Sequence, residues 1–213
     1  NKKVIKGQAL FFRAYFYNFL ANLYGGVPLI LEEATEPRKD YVRATREATY
    51  DQARQDLEDA IKMLNDITKA KDGEVNIQAA QHLLAEVYIS LGDYSEAIAA
   101  ATAVITHPSM GLMKTRFGSR KDETGDPYWD LFQLNNQNRS SGNTETIWAL
   151  QYEYKNSGSS YSNEMPRWLL PYYEGLNVRD KEDTKNVKAF TLNTMEKGGR
   201  GIGTIRPTNH FLN

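Results

Sequence analysis

The sequence predicts a mainly α-helical fold, a stack of antiparallel helical hairpins followed by a loop-rich region. Three observations carry this. Apolar residues recur at steps of three and four through most of residues 1–108, the spacing of one helical face. Turn-forming residues interrupt that pattern at short intervals, as they do between packed helices. Beyond His107 the periodicity gives way to polar sequence rich in Gly, Ser and Asn and dense in aromatic rings.

The first helix falls in GQALFFRAYFYNFLANLY. Ala9, Phe12, Phe16, Phe19, Leu20 and Leu23 share one face, and Leu10, Ala14, Tyr17 and Ala21 form a second, so a helix covered on more than one side is expected, with Phe12, Phe16 and Phe19 as core rings. Gly25 and Gly26 end it, and Val27 to Leu31, around Pro28, reads as an extended segment. A charged loop leads to a second helix starting near Thr45 or Thr49. Its buried stripe is Tyr50, Ala53, Leu57, Ala60, Ile61 and Leu64, and its solvated face carries Asp51, Gln55, Asp56, Glu58, Asp59 and Lys62.

Lys71, Asp72 and Gly73 make a turn before a third helix whose stripe is Ile77, Ala80, Leu84, Val87, Tyr88 and Leu91, closed by Gly92. A fourth helix follows at once. Asp93 and Glu96 have capping-box spacing, Tyr94, Ala97, Ile98, Ala101, Val104 and Ile105 are expected to face inward, and Pro108 stops the helix. Leu84 and Ala85, Tyr88, Gly92-Asp93-Tyr94 and Ala97 reproduce the tetratricopeptide-repeat spacing, in which small residues let two helices approach. The first two helices read as a degenerate repeat with a long inserted loop. Such units need about three neighbours to bury a continuous core, so further helices are expected outside this chain.

The domain organisation expected is therefore a tetratricopeptide-like helical scaffold over 1–108 and a loop-rich region of the same domain over 109–213, truncated at both ends. Within the second part, TIWALQYEY alternates like a short strand, with Trp148 as a core residue.

Composition narrows the function. With 26 Lys and Arg against 27 Asp and Glu, nothing in the net charge favours nucleic acid or an anionic membrane. The absence of cysteine removes disulfides, thiolate metal sites and cysteine nucleophiles. No uninterrupted apolar run reaches the roughly 20 residues a membrane-spanning helix needs. Asp122, Glu123, Asp126 and Asp130 form no calcium-loop pattern and read as a solvated acidic loop. His82, His107 and His210 are scattered, and GGRGIGTIRP lacks the Lys-Ser/Thr of a phosphate loop. Neither a catalytic group, a metal nor a cofactor is expected.

Taken in order, GQALFFRAYFYNFLANLYGGVPLIL, TREATYDQARQDLEDAIKML, AAQHLLAEVYISLGDYSEAIAAATAVI, NTETIWALQYEY and GIGTIRPTNHFLN resemble the SusD/RagB family, the surface-exposed glycan-binding lipoproteins of Bacteroidota. The resemblance runs through nearly all of the chain. It implies a SusD-like α-α superhelix bearing a ligand-binding loop region. It also implies an outer-membrane, surface-exposed location, with membrane attachment only through a lipid anchor that this chain does not contain. The implied partners are an oligosaccharide, or a peptide in some members, and a TonB-dependent transporter of the SusC type. Two other readings stay open from the residues: a tetratricopeptide scaffold binding peptide or protein in its groove, and a glycan-degrading enzyme, favoured only by the acidic residues.

Sugar rings present flat C–H faces that pack on aromatic side chains, while their hydroxyls need amide, carboxylate and arginine partners. Trp129, Tyr161, Trp168 and Tyr172, with Arg167 and Asn156, have that composition in loop segments and are the ligand contacts expected. Tyr173, Asn135, Asn136, Asn138 and Asn163 lie near them in sequence.

Overall fold

A computed structural model describes residues 2–151, 177–179 and 186–188. Four helices carry the first part: α1 Lys2–Tyr24, α2 Arg46–Ile61, α3 Ile77–Leu91 and α4 Tyr94–Ile105. Each packs chiefly on the next, α1 on α2, α2 on α3 and α3 on α4, which is the serial arrangement of stacked helical hairpins. A short helix α5, Pro127–Leu131, and a 3-10 turn, Arg139–Ser141, follow. The chain forms two units, Asn1–Leu150 and Gln151–Asn213. In the second, β1 Asn177–Arg179 pairs antiparallel with β2 Asn186–Lys188, with Val178 opposite Val187. The mainly α, tetratricopeptide-like fold expected from the sequence is the one observed.

Local chemistry sets the helix ends. The Thr45 hydroxyl accepts from Ala48 N–H at the start of α2, and Asn76 does the same for Ala79 N–H at α3. Gly25 and Gly92, at φ +74° and +87°, take the left-handed conformation that ends α1 and α3. Asp93 makes no side-chain cap on α4, contrary to the capping box expected. Directly after the left-handed Gly92 its backbone sits at φ −84°, ψ 66°, outside the extended geometry a capping side chain needs, and Glu96 instead accepts from the Ser95 hydroxyl.

The core runs through the first three helices. Phe11, Ala14, Tyr17 and Ala21 of α1 meet Tyr50, Ala53, Leu57 and Ala60 of α2, and Ala79, Ala80, Leu83, Leu84 and Val87 of α3. Small residues permit close approach. A Cβ on Gly7 would fall 2.9 Å from that of Met63, beyond the end of α2.

The buried stripe of α1 is not the one expected. Phe16 and Phe19 are 58% and 54% exposed, and Phe12 and Leu23 are exposed with them. Two apolar faces compete on this helix, and the one with small residues at Ala14 and Ala21 meets the neighbouring helices. On α4, Ala97 and Val104 are buried against α3, whereas Tyr94, Ile98 and Ile105 point away from it. No strand forms over the described part of TIWALQYEY, residues 146–151. That stretch is instead clipped to the turn before α3: Asn76 Nδ2 donates to the Ile147 carbonyl at 2.8 Å and Trp148 Nε1 to the Gly73 carbonyl at 3.0 Å. Trp148 packs half-buried against the core, as expected.

Asp56 also departs from expectation, being buried rather than solvated. Arg13 of α1 grips it through two hydrogen bonds of 2.6 Å, and Gln52 adds a third at 2.9 Å. A carboxylate can be enclosed there because the guanidinium fork matches both its oxygens. Arg13→Ala is expected to destabilise the fold by roughly 3 kcal/mol, the low end for a buried pair because Arg13 itself keeps water contact. Urea unfolding checks this, and an unchanged midpoint overturns it.

Asp66 ties the loop after α2 to α3 and to the residues after α4. Burial pushes its carboxyl upward, but hydrogen bonds from the Thr68 hydroxyl and backbone and from Gln78, with His107 at 3.1 Å, outweigh burial and hold it well below the usual carboxylate range. A depressed folded-state value means that this stabilisation is present above the unfolded Asp value of about 4 and is lost as pH falls through the folded one. Between about pH 5 and pH 2 the melting temperature should therefore fall less in Asp66→Asn than in the parent chain. Parallel curves in thermal scans would exclude the role given to Asp66.

Candidate functional site

The segment from Phe117 to Asn143 is polar and loop-rich, yet its interior is ordered by side chains rather than by strands. Its hub is Arg116. Its Nε and Nη2 grip Asp130 at 2.6 and 3.0 Å, Nη2 also donates to the Arg120 carbonyl, and Nη1 donates to the carbonyls of Glu123 and Gly125. Asp130 is fully enclosed and also accepts from Phe117 N–H at 3.0 Å. Arg116, helped by that N–H and opposed by burial, holds the Asp130 carboxyl below the usual range.

Asn136, equally buried, accepts from Ser119 N–H and donates to the Asp130 carbonyl. Gly118 takes a left-handed φ of +75° beside it, and a Cβ there would lie 2.1 Å from the Asn136 amide oxygen. Only glycine fits. Asn143 donates to the Asn136 carbonyl and caps the turn at Glu145 and Thr146.

This network corrects the reading of the acidic loop. Asp130 is a buried structural anion, and Asp126 caps α5 by accepting from Trp129 N–H at 2.7 Å. Among the described residues, no group of three His, Asp or Glu side chains is placed to hold a metal ion.

Of the ligand contacts expected from the sequence, Trp129 lies among the described residues; Tyr161, Trp168, Tyr172, Arg167 and Asn156 lie outside them. Trp129 is half-buried, with the Arg116 guanidinium 5.5 Å from its ring centroid and Gly125 close against its six-membered ring. Its neighbours Tyr128 and Phe132 are far more open, 70% and 71% exposed, and pair edge-to-face at 5.1 Å. Sequence reasoning passed over these two. Their spacing of four within a segment opened by Asp126-Pro127, a cap followed by a first-turn proline, is the signal that joins them on one helical face.

A second ring cluster surrounds Trp148, where Phe11, Phe12 and Tyr15 stand edge-to-face to its indole at 5.5, 6.0 and 6.5 Å. Beside it α1, α3 and the 145–148 segment enclose an open groove of about 390 Å³.

A scaffold of serially packed helical hairpins, followed by a loop region held by a polar hub, defines the class to which comparison with known proteins leads. Residues 1–89 match a SusD-like family described as starch-binding associating with outer membrane. Among solved structures, a SusD-like protein from Bacteroides fragilis is 24% identical, with a TM-score of 0.59, over 73% of this chain and 28% of its own. A SusD-like carbohydrate binding protein from the same species is 18% identical, with a TM-score of 0.63, over 78% of this chain and 29% of its own. Surface glycan-binding protein A from Bacteroides uniformis is 21% identical, with a TM-score of 0.62, over 89% of this chain and 36% of its own. At these identities the likeness establishes the fold, and the chain spans only about a third of the length of these structures. No curated protein matches the sequence. Its fold is that of SusD-like structures, and residues 1–89 are similar to the SusD-like family, in line with the sequence resemblance.

The polar hub gives a direct expectation. Asp130→Asn should keep the volume but weaken the grip on Arg116 and Phe117, speeding hydrogen exchange at the Phe117 amide about tenfold for each ~1.4 kcal/mol of local stability lost. Unchanged protection of that amide would show that the loop is held by something else.

Proposed function

We propose that this chain belongs to a non-enzymatic protein that captures an oligosaccharide at the cell surface and delivers it to a SusC-type TonB-dependent transporter in the outer membrane. The observation that carries this reading is the match of residues 1–89 to a family described as starch-binding and associated with the outer membrane, on a fold shared with SusD-like proteins. Attachment to the membrane is through a lipid anchor; no helix among the described residues is long and apolar enough to cross a bilayer. Ligand contact is assigned to Trp129, Tyr161, Trp168 and Tyr172, with Arg167 and Asn156 supplying polar partners. Trp129 suits that role in one respect: a ring backed by a guanidinium and a glycine is held in a fixed orientation before any ligand arrives.

The tetratricopeptide-scaffold alternative would use the helical surfaces alone and leave the ordered loop region without a task. The enzymatic alternative loses its main support, because Asp130 is committed to Arg116 and Asp126 to the α5 cap.

Calorimetric titration with neutral and acidic oligosaccharides, followed by product analysis, tests the proposal. Binding without turnover is expected, with affinity falling about tenfold in Trp129→Ala or Trp168→Ala. The intact protein is expected to co-purify with a barrel transporter in mild detergent. Hydrolysis of any ligand, or isolation of the intact protein without a barrel, overturns the corresponding part.

A further inference from the structure

The groove between α1 and α3 has a composition that the loop site does not account for. One wall is aromatic, formed by Tyr15 and Trp148, both half-buried, over Phe11. The other wall is polar. His82 and Glu86 stand one turn apart on α3, 57% and 54% exposed, with Nδ1 and Oε1 3.8 Å apart. Glu145 closes the end, its carboxylate oriented by accepting from Met113 N–H at 2.6 Å. Among the described residues, no lysine or arginine lines the groove. Its volume of about 390 Å³ lies within the range of small-molecule sites, roughly 300–1,000 Å³.

From this we infer that the α1–α3 groove is a second carbohydrate subsite, selective for pyranose units that carry no anionic group. Ring faces on one side and hydrogen-bonding carboxylates and imidazole on the other match the two chemistries of a sugar ring, an apolar C–H face and an edge of hydroxyls. The aromatic wall is fixed in advance, because Trp148 is held by the Gly73 carbonyl and by three surrounding rings. Two carboxylates with no lining cation decide the charge. A neutral sugar can donate hydroxyl hydrogens to Glu86 and Glu145, whereas a uronate or sulfate would meet both as like charges with no lysine or arginine among the described lining residues to compensate. The inference deepens the proposed glycan binding by naming a ligand class, and it rests on residues other than the loop aromatics.

The test uses the 213-residue chain. A panel of neutral hexasaccharides, an α-glucan, a β-glucan, a mannan and a xylan, is titrated beside an oligogalacturonate of equal length, while the Trp148 indole N–H is followed by NMR. At least one neutral member should shift that signal at concentrations where the oligogalacturonate does not. Tyr15→Leu and Trp148→Phe should each weaken that member about tenfold. Glu86→Lys changes an exposed side chain outside the core, so the chain should fold, and it should narrow the preference over oligogalacturonate by a similar factor. If a hexasaccharide binds but the indole signal and all three variants are unaffected, the groove assignment is wrong and the loop-site reading stands. Equal binding of the oligogalacturonate overturns the charge selectivity. If the indole signal reports an apolar protein segment already seated in the groove, or no panel member binds anywhere, the inference fails, in the last case together with the proposed function.

Discussion

The pairing of Arg13 with Asp56 is the constraint on which the arrangement of the scaffold depends. The two residues are 43 positions apart, and the chain between them leaves α1, makes a long charged loop and returns as α2. Arg13 also donates to the Leu31 carbonyl, so one side chain fixes the partner helix and the start of the connecting loop together. A guanidinium fork accepts a carboxylate in few orientations, which sets the register of α1 against α2 more narrowly than apolar contact would. The alanines at 14, 21, 53 and 60 then lie where the helices meet, and α3 packs on the surface that α2 still offers.

The helices were legible in the sequence because periodicity, glycines and capping residues are local signals. Thr45, Gly25 and Gly92 stand where the chain reading put them. Which face of α1 would be buried was not legible, since Phe12, Phe16 and Phe19 recur at steps of three and four just as Ala14, Tyr17 and Ala21 do, and only the neighbouring helix decides between them. The same holds for Tyr94, Ile98 and Ile105 of α4. Asp56 and Asp130 were misread for a related reason: a carboxylate looks solvated until its arginine is found, and Arg13 and Arg116 lie 43 and 14 residues away. At the candidate site, sequence singled out the indole of Trp129 but could not show that α5 turns it toward Arg116 and leaves Tyr128 and Phe132 outside.

The scaffold and the loop region reach order by different physics. Between the helices, apolar side chains leave water and the backbone satisfies itself. From Phe117 to Asn143 few apolar groups are buried, and Arg116, Asp130, Asn136 and Asn143 supply the hydrogen bonds that a sheet would otherwise provide. A polar interior of this kind leaves rings at the surface without exposing unpaired backbone beneath them.

The two clips from Asn76 to Ile147 and from Trp148 to Gly73 bridge 71 and 75 residues, while Arg13 and Asp56, which join α1 to α2, are 43 residues apart. Closing a loop of that length costs more chain entropy than pairing neighbouring helices, and the cost is recovered only once both ends are already in place. The wall that Trp148 gives to the α1–α3 groove is thus completed after the helical stack on which it rests. An unfinished chain emerging during synthesis would carry the stack but no groove, so the groove exists only once the polypeptide has passed residue 148.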